Sequence, residues 1–270
     1  MNLRISVFYL LPLLILSCKE NKSPGTKGSW HYTKSYPLTN VDPISITGDD
    51  SHLYVSSGMK TEIFKLNYDG GLVQQIKNIR KPKYLNLLST GVVVVAESEA
   101  HVASRVEGQD YITTIPTNDF LETPYGVSIE SNRIAISDLN KGKVYFNNGG
   151  KVTSITDNIS SPTDIQLKNG KLYVADIKSN LVQVFDTLGK PKSTIGKNEK
   201  IKMIGGLYVN NEEIAVTDYN GNRLLIYDLK GKLKQSLTEL LLQPSDVFIK
   251  GREMFVVNYG SNDIAVYSKW

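Results

Sequence analysis

Six side chains recur about every forty residues: Ser57, Glu97, Asp138, Asp176, Asp218 and Asn258. Five of the six carry a carboxylate or amide oxygen. Converging on one point, such oxygens would suit Ca²⁺, a hard cation that prefers oxygen ligands. Held apart, each would accept backbone N–H bonds and fix its own turn, as short Asx side chains do. Repetition in every unit favours the second role, because a need of the fold recurs wherever the fold recurs.

A second series is more selective. Ser45, Tyr84, Gly126, Asp164, Gly206 and Asp246 share one position in the repeat, and only Asp164 and Asp246 are acidic. These two would either hydrogen-bond to neighbouring strands or grip a polar ligand. Tyr125, Tyr219 and Tyr259 form a third group, of a kind that stacks on sugar rings or anchors a peptide. With fifteen tyrosines in the chain, such placement also arises by chance. Glu97, Glu99 and His101 alternate and are of types that zinc accepts, but no fourth ligand stands nearby. The sequence holds no nucleophile elbow, glycine-rich phosphate loop or Cys/His pair.

The element that must position these residues is a repeat. "SPTDIQLKNGKLYVADIKSNLVQVFDTLGKPKSTIG" from Ser161 aligns with "IGGLYVNNEEIAVTDYNGNRLLIYDLKGKLKQSL" from Ile204. Further copies start at Thr123 and Gln243, and weaker ones at Asp42 and Lys81. Pro43, Pro82, Pro124, Pro162, Ile204 and Pro244 anchor them, at spacings of 39, 42, 38, 42 and 40 residues. Each full copy holds four strand signals; in the fourth they span 164–167, 171–175, 181–185 and 192–195. The first two alternate or run apolar, as strands covered on both faces do. Asn169-Gly170 suits a two-residue hairpin, where positive φ is needed. No helical period of ten residues or more follows Leu16.

The pattern predicts an all-β six-bladed β-propeller of four-stranded blades, starting near residues 42, 81, 123, 161, 203 and 243. One such sheet cannot bury both faces alone, whereas a ring buries each sheet against its neighbours. The last copy stops at Trp270 with its fourth strand missing. "SWHYTKSYPL", residues 29–38, is predicted to pair with residues 263–268 and close the ring. On this fold the recurring acids face the loops between second and third strands. Asp164 and Asp246 begin innermost strands near the channel mouth, and the tyrosines crown the same loop face.

The stretch from Pro162 to Asn180, P-x-D-I-x-L-x-N-G-K-L-Y-V-A-D-x-x-x-N, resembles an NHL repeat, and "FVVNYGSNDIAVYS" resembles the related YVTN repeat. The resemblance covers residues 42–270 and implies fold more than function. Propeller lactonases also resemble this chain in architecture. They hold a catalytic calcium with a Glu, Asn and Asp set and carry Glu-Gly-Pro in the first blade. The matching place here reads Val41-Asp42-Pro43, without the glutamate. The expected function is a non-catalytic propeller that binds a protein, peptide or glycan through its loop face, with no cofactor. The alternative is a Ca²⁺-dependent, lactonase-like hydrolase using Asp164, Asp246 and the recurring acids.

The N-terminus bounds the location. Arg4 precedes a run from Ile5 to Leu16 that is apolar except for Ser6, too short to span a bilayer and suited to a signal peptide. Ile15-Leu16-Ser17-Cys18 resembles a bacterial lipobox, which implies removal of residues 1–17 and lipidation of Cys18. Residues 18–28 then form a polar tether with a reach of roughly 30 Å. The mature chain would sit on a membrane of the bacterial envelope, inner or outer, or at the cell surface. Cys18 is the only cysteine, so the domain at 29–270 has no disulfide. Formal net charge is +4, or +3 once Arg4 is subtracted, and the lysines are scattered. That distribution argues against a nucleic-acid partner.

Overall fold

The computed structural model describes residues 28–107, 112–117, 121–148 and 151–270. The signal peptide, Cys18 and the tether up to residue 27 lie outside them. Among the described residues no helix is long and apolar enough to cross a membrane.

The first strand, β1 (Trp30–Pro37), stands apart from the repeats that follow. Blade 1 is β2 (Pro43–Gly48), β3 (His52–Ser57), β4 (Ile63–Asn67) and β5 (Leu72–Ile76). Blade 2 is β6 (Pro82–Leu87), β7 (Val93–Glu97), β8 (Val102–Val106) and the short β9 (Ile112–Thr114). Blade 3 is β10 (Pro124–Glu130), β11 (Arg133–Asp138), β12 (Lys143–Asn148) and β13 (Lys151–Ile155). Blade 4 is β14 (Pro162–Lys168), β15 (Lys171–Asp176), β16 (Leu181–Asp186) and β17 (Pro191–Ile195). Blade 5 is β18 (Ile204–Val209), β19 (Glu213–Asp218), β20 (Arg223–Asp228) and β21 (Leu233–Leu237). Blade 6 holds β22 (Pro244–Lys250), β23 (Glu253–Asn258) and β24 (Asp263–Lys269).

Each sheet has four antiparallel strands in chain order, except the last, whose order is β1-β24-β23-β22. The predicted closure is therefore present. Trp30 pairs with Lys269 and Pro37 with Asp263, with one register shift between Tyr32 and Lys34. The innermost strands β2, β6, β10, β14, β18 and β22 pack against one another in a ring.

Turn chemistry agrees with the residues that make it. Asn169 and Gly170 have φ of 51° and 71°, as the hairpin required. Four residues after each recurring acid or amide, the turn takes φ between 55° and 61° at Gly142, Asn180, Asn262 and His101, and 51° at Asn222. Asn and Gly tolerate that conformation at least cost.

The core is divided, with one apolar cluster between each pair of adjacent blades. Between blades 4 and 5 it includes Val184, Ile195, Leu207, Val216 and Tyr227. At the seam, Val257, Ile264 and Val266 of blade 6 meet Ile46, Val55 and Phe64 of blade 1. Central strands are buried on both faces: every residue of β19 is buried. This explains their unbroken apolar runs, because each face meets another sheet.

Candidate functional site

The recurring acids are buried and spent on backbone. Asp176 accepts Ser160 N at 2.5 Å and Ser161 N at 3.1 Å before β14, and Lys178 N and Ser179 N at 3.0 and 2.9 Å after β15. Asp138 takes Glu122, Thr123 and Lys141 N–H groups in the same way. Asp218 takes Lys202, Met203 and Gly221, and pairs with Arg223 at 2.8 Å. Glu97 accepts Arg80 N at 2.8 Å and the Ser104 hydroxyl. Asn258 accepts Leu242 N at 3.2 Å and donates to Leu240 O and Asp263. Asp138, Asp176 and Asp218 tie the loop leading into their blade to the turn between second and third strands, and Glu97 and Asn258 tie that loop to the third strand itself. Among the described residues the Ser57 hydroxyl accepts one N–H, that of Lys60, at 3.2 Å.

Glu97, Glu99 and His101 point to three different partners. Glu97 faces inward as above, Glu99 lies 3.9 Å from Lys81, and His101 Nδ1 meets the Glu122 carbonyl at 2.6 Å. Among the described residues no group of three His, Cys, Asp or Glu side chains is placed to hold a metal.

Asp164 and Asp246 are buried where the innermost strands begin. Asp164 accepts Ile165 N at 2.8 Å and, across the blade boundary, Leu207 N at 2.7 Å. Asp246 accepts Val247 N at 2.8 Å and reaches blade 1 through Ile46 N at 2.9 Å and Ser45 Oγ at 2.5 Å. Burial raises both carboxyls above the usual range, and the charge of Asp246 pushes Asp164 further.

The blades alternate at this level. Odd blades carry small residues, Ser45, Gly126 and Gly206, and a hydroxyl on the second strand, Ser56, Ser137 or Thr217. Those hydroxyls donate to the next blade at Lys83 O, Thr163 O and Ser245 O, at 2.8, 2.5 and 3.3 Å. Even blades carry the large residues Tyr84, Asp164 and Asp246. Small residues make room for the large ones: a Cβ on Gly206 would stand 2.1 Å from Asp246 Oδ1.

Two hollows open on the channel, one at each end. The larger, about 730 Å³, lies at the end of the first-to-second-strand hairpins, among Thr47, Asn86, Gln166, Tyr208 and Phe248. Two of its polar side chains, Gln166 and Asn86, reach across to neighbouring blades. Gln166 bonds both the N–H and the carbonyl of Val209, at 2.6 and 3.1 Å, and Asn86 reaches Ser128 at 3.3 Å.

The other hollow, about 310 Å³, lies on the loop face and is lined by Tyr84, Tyr125, Tyr219, Tyr259, Met59 and Met203. Tyr84 lies against Tyr125, and Tyr219 against Tyr259, each pair with ring centres 6.0 Å apart and tilted by about 45°. The Tyr84 hydroxyl crosses blade 1 to reach Ser245 O of blade 6 at 3.3 Å, which forms the floor. Burial raises the Tyr84, Tyr125 and Tyr219 phenols, and Asp246 and Asp164 add to the effect on Tyr84. Among the described residues Lys83 is the one charged residue in the lining.

The structure thus brings Tyr125, Tyr219 and Tyr259 together at one mouth, with Asp164 and Asp246 acting electrostatically on its floor. Glu97, Asp138, Asp176, Asp218 and Asn258 are not in its lining. Sequence reasoning missed Lys83, Tyr84, Met59 and Met203 as site residues. A signal existed for Tyr84, the only aromatic residue in a series otherwise made of Ser, Gly and Asp.

No protein-family model and no curated protein matches the chain. Solved structures do. Virginiamycin B lyase from Staphylococcus aureus superposes with a TM-score of 0.66 at 16% identity, covering 90% of this chain and all of that one. A catalytically inactive form of that lyase with quinupristin gives 0.64 at 18% identity, covering 90% and 88%. A streptogramin B lyase gives 0.66 at 15% identity, covering 89% and 87%. At these identities the likeness establishes the class, a six-bladed β-propeller, and no more.

Proposed function

We propose that this chain is a lipid-anchored protein of the bacterial envelope whose propeller binds a ligand, without catalysis, in the tyrosine-lined hollow of its loop face. The observation that carries the reading is the convergence of four tyrosines and two methionines on one mouth of the channel. Aromatic and thioether surface of this kind anchors peptides and other partly apolar ligands. The lining contains no carboxylate or imidazole among the described residues, and its titratable groups are a lysine and phenols.

Orientation supports the reading as well. β1 starts beside Lys269, at the hairpin end, and finishes beside Asp263, at the loop end. A tether entering at Trp30 therefore joins the propeller on the face opposite the hollow. With lipid on Cys18, the hollow would point away from the membrane and stay open to a partner.

The test is a pull-down from envelope extract with detergent-solubilised full-length protein, beside a Tyr219→Ala/Tyr259→Ala variant. The reading predicts a partner that the wild type retains and the variant loses. It also predicts that quinupristin, simple lactones and esters pass through unchanged with or without calcium. Metal-dependent turnover would replace it with the hydrolase alternative.

A further inference from the structure

Lys83 stands in the hollow with no counter-charge among the described residues. Its ammonium lies 5.2 Å from the centre of the Tyr125 ring. Among the described residues it forms no ion pair; nearby Lys81 faces Glu99 instead. Its second neighbour on the strand, Leu85, donates to Ser45, so β6 is held and the lysine stem emerges from a fixed place. A cation taken partly out of water normally finds an anion or pays for the lack of one. Here burial and the neighbouring Lys81 both act against the charge, and among the described residues only the face of the Tyr125 ring favours it. The surrounding wall is aromatic and aliphatic: Ile44, Ile177 and Ile204 complete it.

The volume narrows the ligand. About 310 Å³ is at the low end for small-molecule pockets, which run from roughly 300 to 1,000 Å³. It suits the end of a chain better than an extended segment. Resting on the binding reading above, we propose that the hollow captures the C-terminus of a peptide whose last residue is aromatic or large and apolar. Lys83 takes the terminal carboxylate, and Tyr84, Tyr125, Tyr219 and Tyr259 enclose the last side chain. A charge-assisted hydrogen bond in partly dry surroundings gives the anion its preference over a neutral group.

The experiment compares acetyl-Ala-Ala-Phe bearing a free carboxylate with the same peptide as its C-terminal amide, titrated into the full-length protein by calorimetry. The acid is expected to bind about ten- to a hundredfold more tightly than the amide. Lys83→Gln should remove that preference, and the melting temperature should not fall, because the charge it removes is opposed by burial and by Lys81. Equal binding of acid and amide, or a preference that survives Lys83→Gln, overturns the carboxylate assignment and leaves the hollow as a ligand site. Failure of both peptides to bind also overturns it. The pull-down then decides separately whether the hollow binds anything else.

Discussion

Trp30 donates its indole N–H to Glu213 Oε1 at 2.9 Å, across 183 residues of chain. The bond links β1, which completes blade 6, to β19 of blade 5. Lys269 meets the other oxygen of Glu213 at 3.1 Å, and Gln235 bonds both the N–H and the carbonyl of Trp30 at 2.9 and 2.8 Å. Trp30 is 1% exposed, so the strand that closes the ring is fastened by its buried first residue.

Trp30→Phe keeps most of the apolar contact and removes the bond to a buried, charged acceptor. A loss of about 2 kcal/mol is expected. At this size that lowers the melting temperature by roughly 4–8 °C, read by thermal unfolding in circular dichroism. An unchanged transition would mean the seam is held without this bond.

Asp176→Ala leaves four N–H groups of two loops without their acceptor. A destabilisation of about 3–5 kcal/mol follows. Amide hydrogen exchange should rise at Ser160, Ser161, Lys178 and Ser179 first. Exchange that rises evenly across blade 4 would contradict the local role.

Asp164 and Asp246 make stability depend on pH in a stated direction. Burial raises Asp246 from 3.8 to about 7, and raises Asp164 as well. The folded state then holds protons that the unfolded chain has released, so stability falls as pH rises between about 4 and 7. The melting temperature should decline across that window. Asp246→Asn sets an amide –NH₂ against a backbone N–H, so it should melt lower at pH 4.5 yet show a flatter slope. A slope as steep as that of the wild type would assign the titration elsewhere.

Gly206→Ala drives a methyl into Asp246, with Oδ1 at 2.1 Å and the Asp246 Cα at 3.0 Å. The backbone on one side cannot yield, so a loss of about 3 kcal/mol or more is expected in chemical denaturation. Relief by a second change, Asp246→Gly, would confirm that the two residues share one space.

Tyr259→Ala opens the loop-face hollow without touching the seam or the inner-strand bonds. The melting temperature should shift by less than that of Gly206→Ala, while retention of the partner in the pull-down drops at least tenfold. Equal retention would move the ligand surface away from the tyrosines.

Much of this architecture could be read from the chain. Strand limits in blade 4 shift by at most two residues from 164–167, 171–175, 181–185 and 192–195, because apolar runs and Asn-Gly turns are local signals. The role of the recurring acids as turn holders was also accessible, since a feature repeated in every blade answers a need of every blade. The alternation of small and large inner residues was present in the sequence too. It emerges only when copies are read in pairs, because each large residue fills space left by the next or previous blade.

The sequence by itself determined six copies, their strands and the closing partner of β24, since periodicity, turn residues and a leftover strand all lie within short windows. Only the tertiary structure decided which side chains share a hollow. Tyr84, Tyr125, Tyr219 and Tyr259 come from four blades, and ring closure sets them around one mouth while sending Asp138, Asp176 and Asp218 into backbone bonds. Side-chain direction across a blade boundary depends on how adjacent sheets twist and pack. That is why the place of Lys83 in the hollow became visible only in the folded ring.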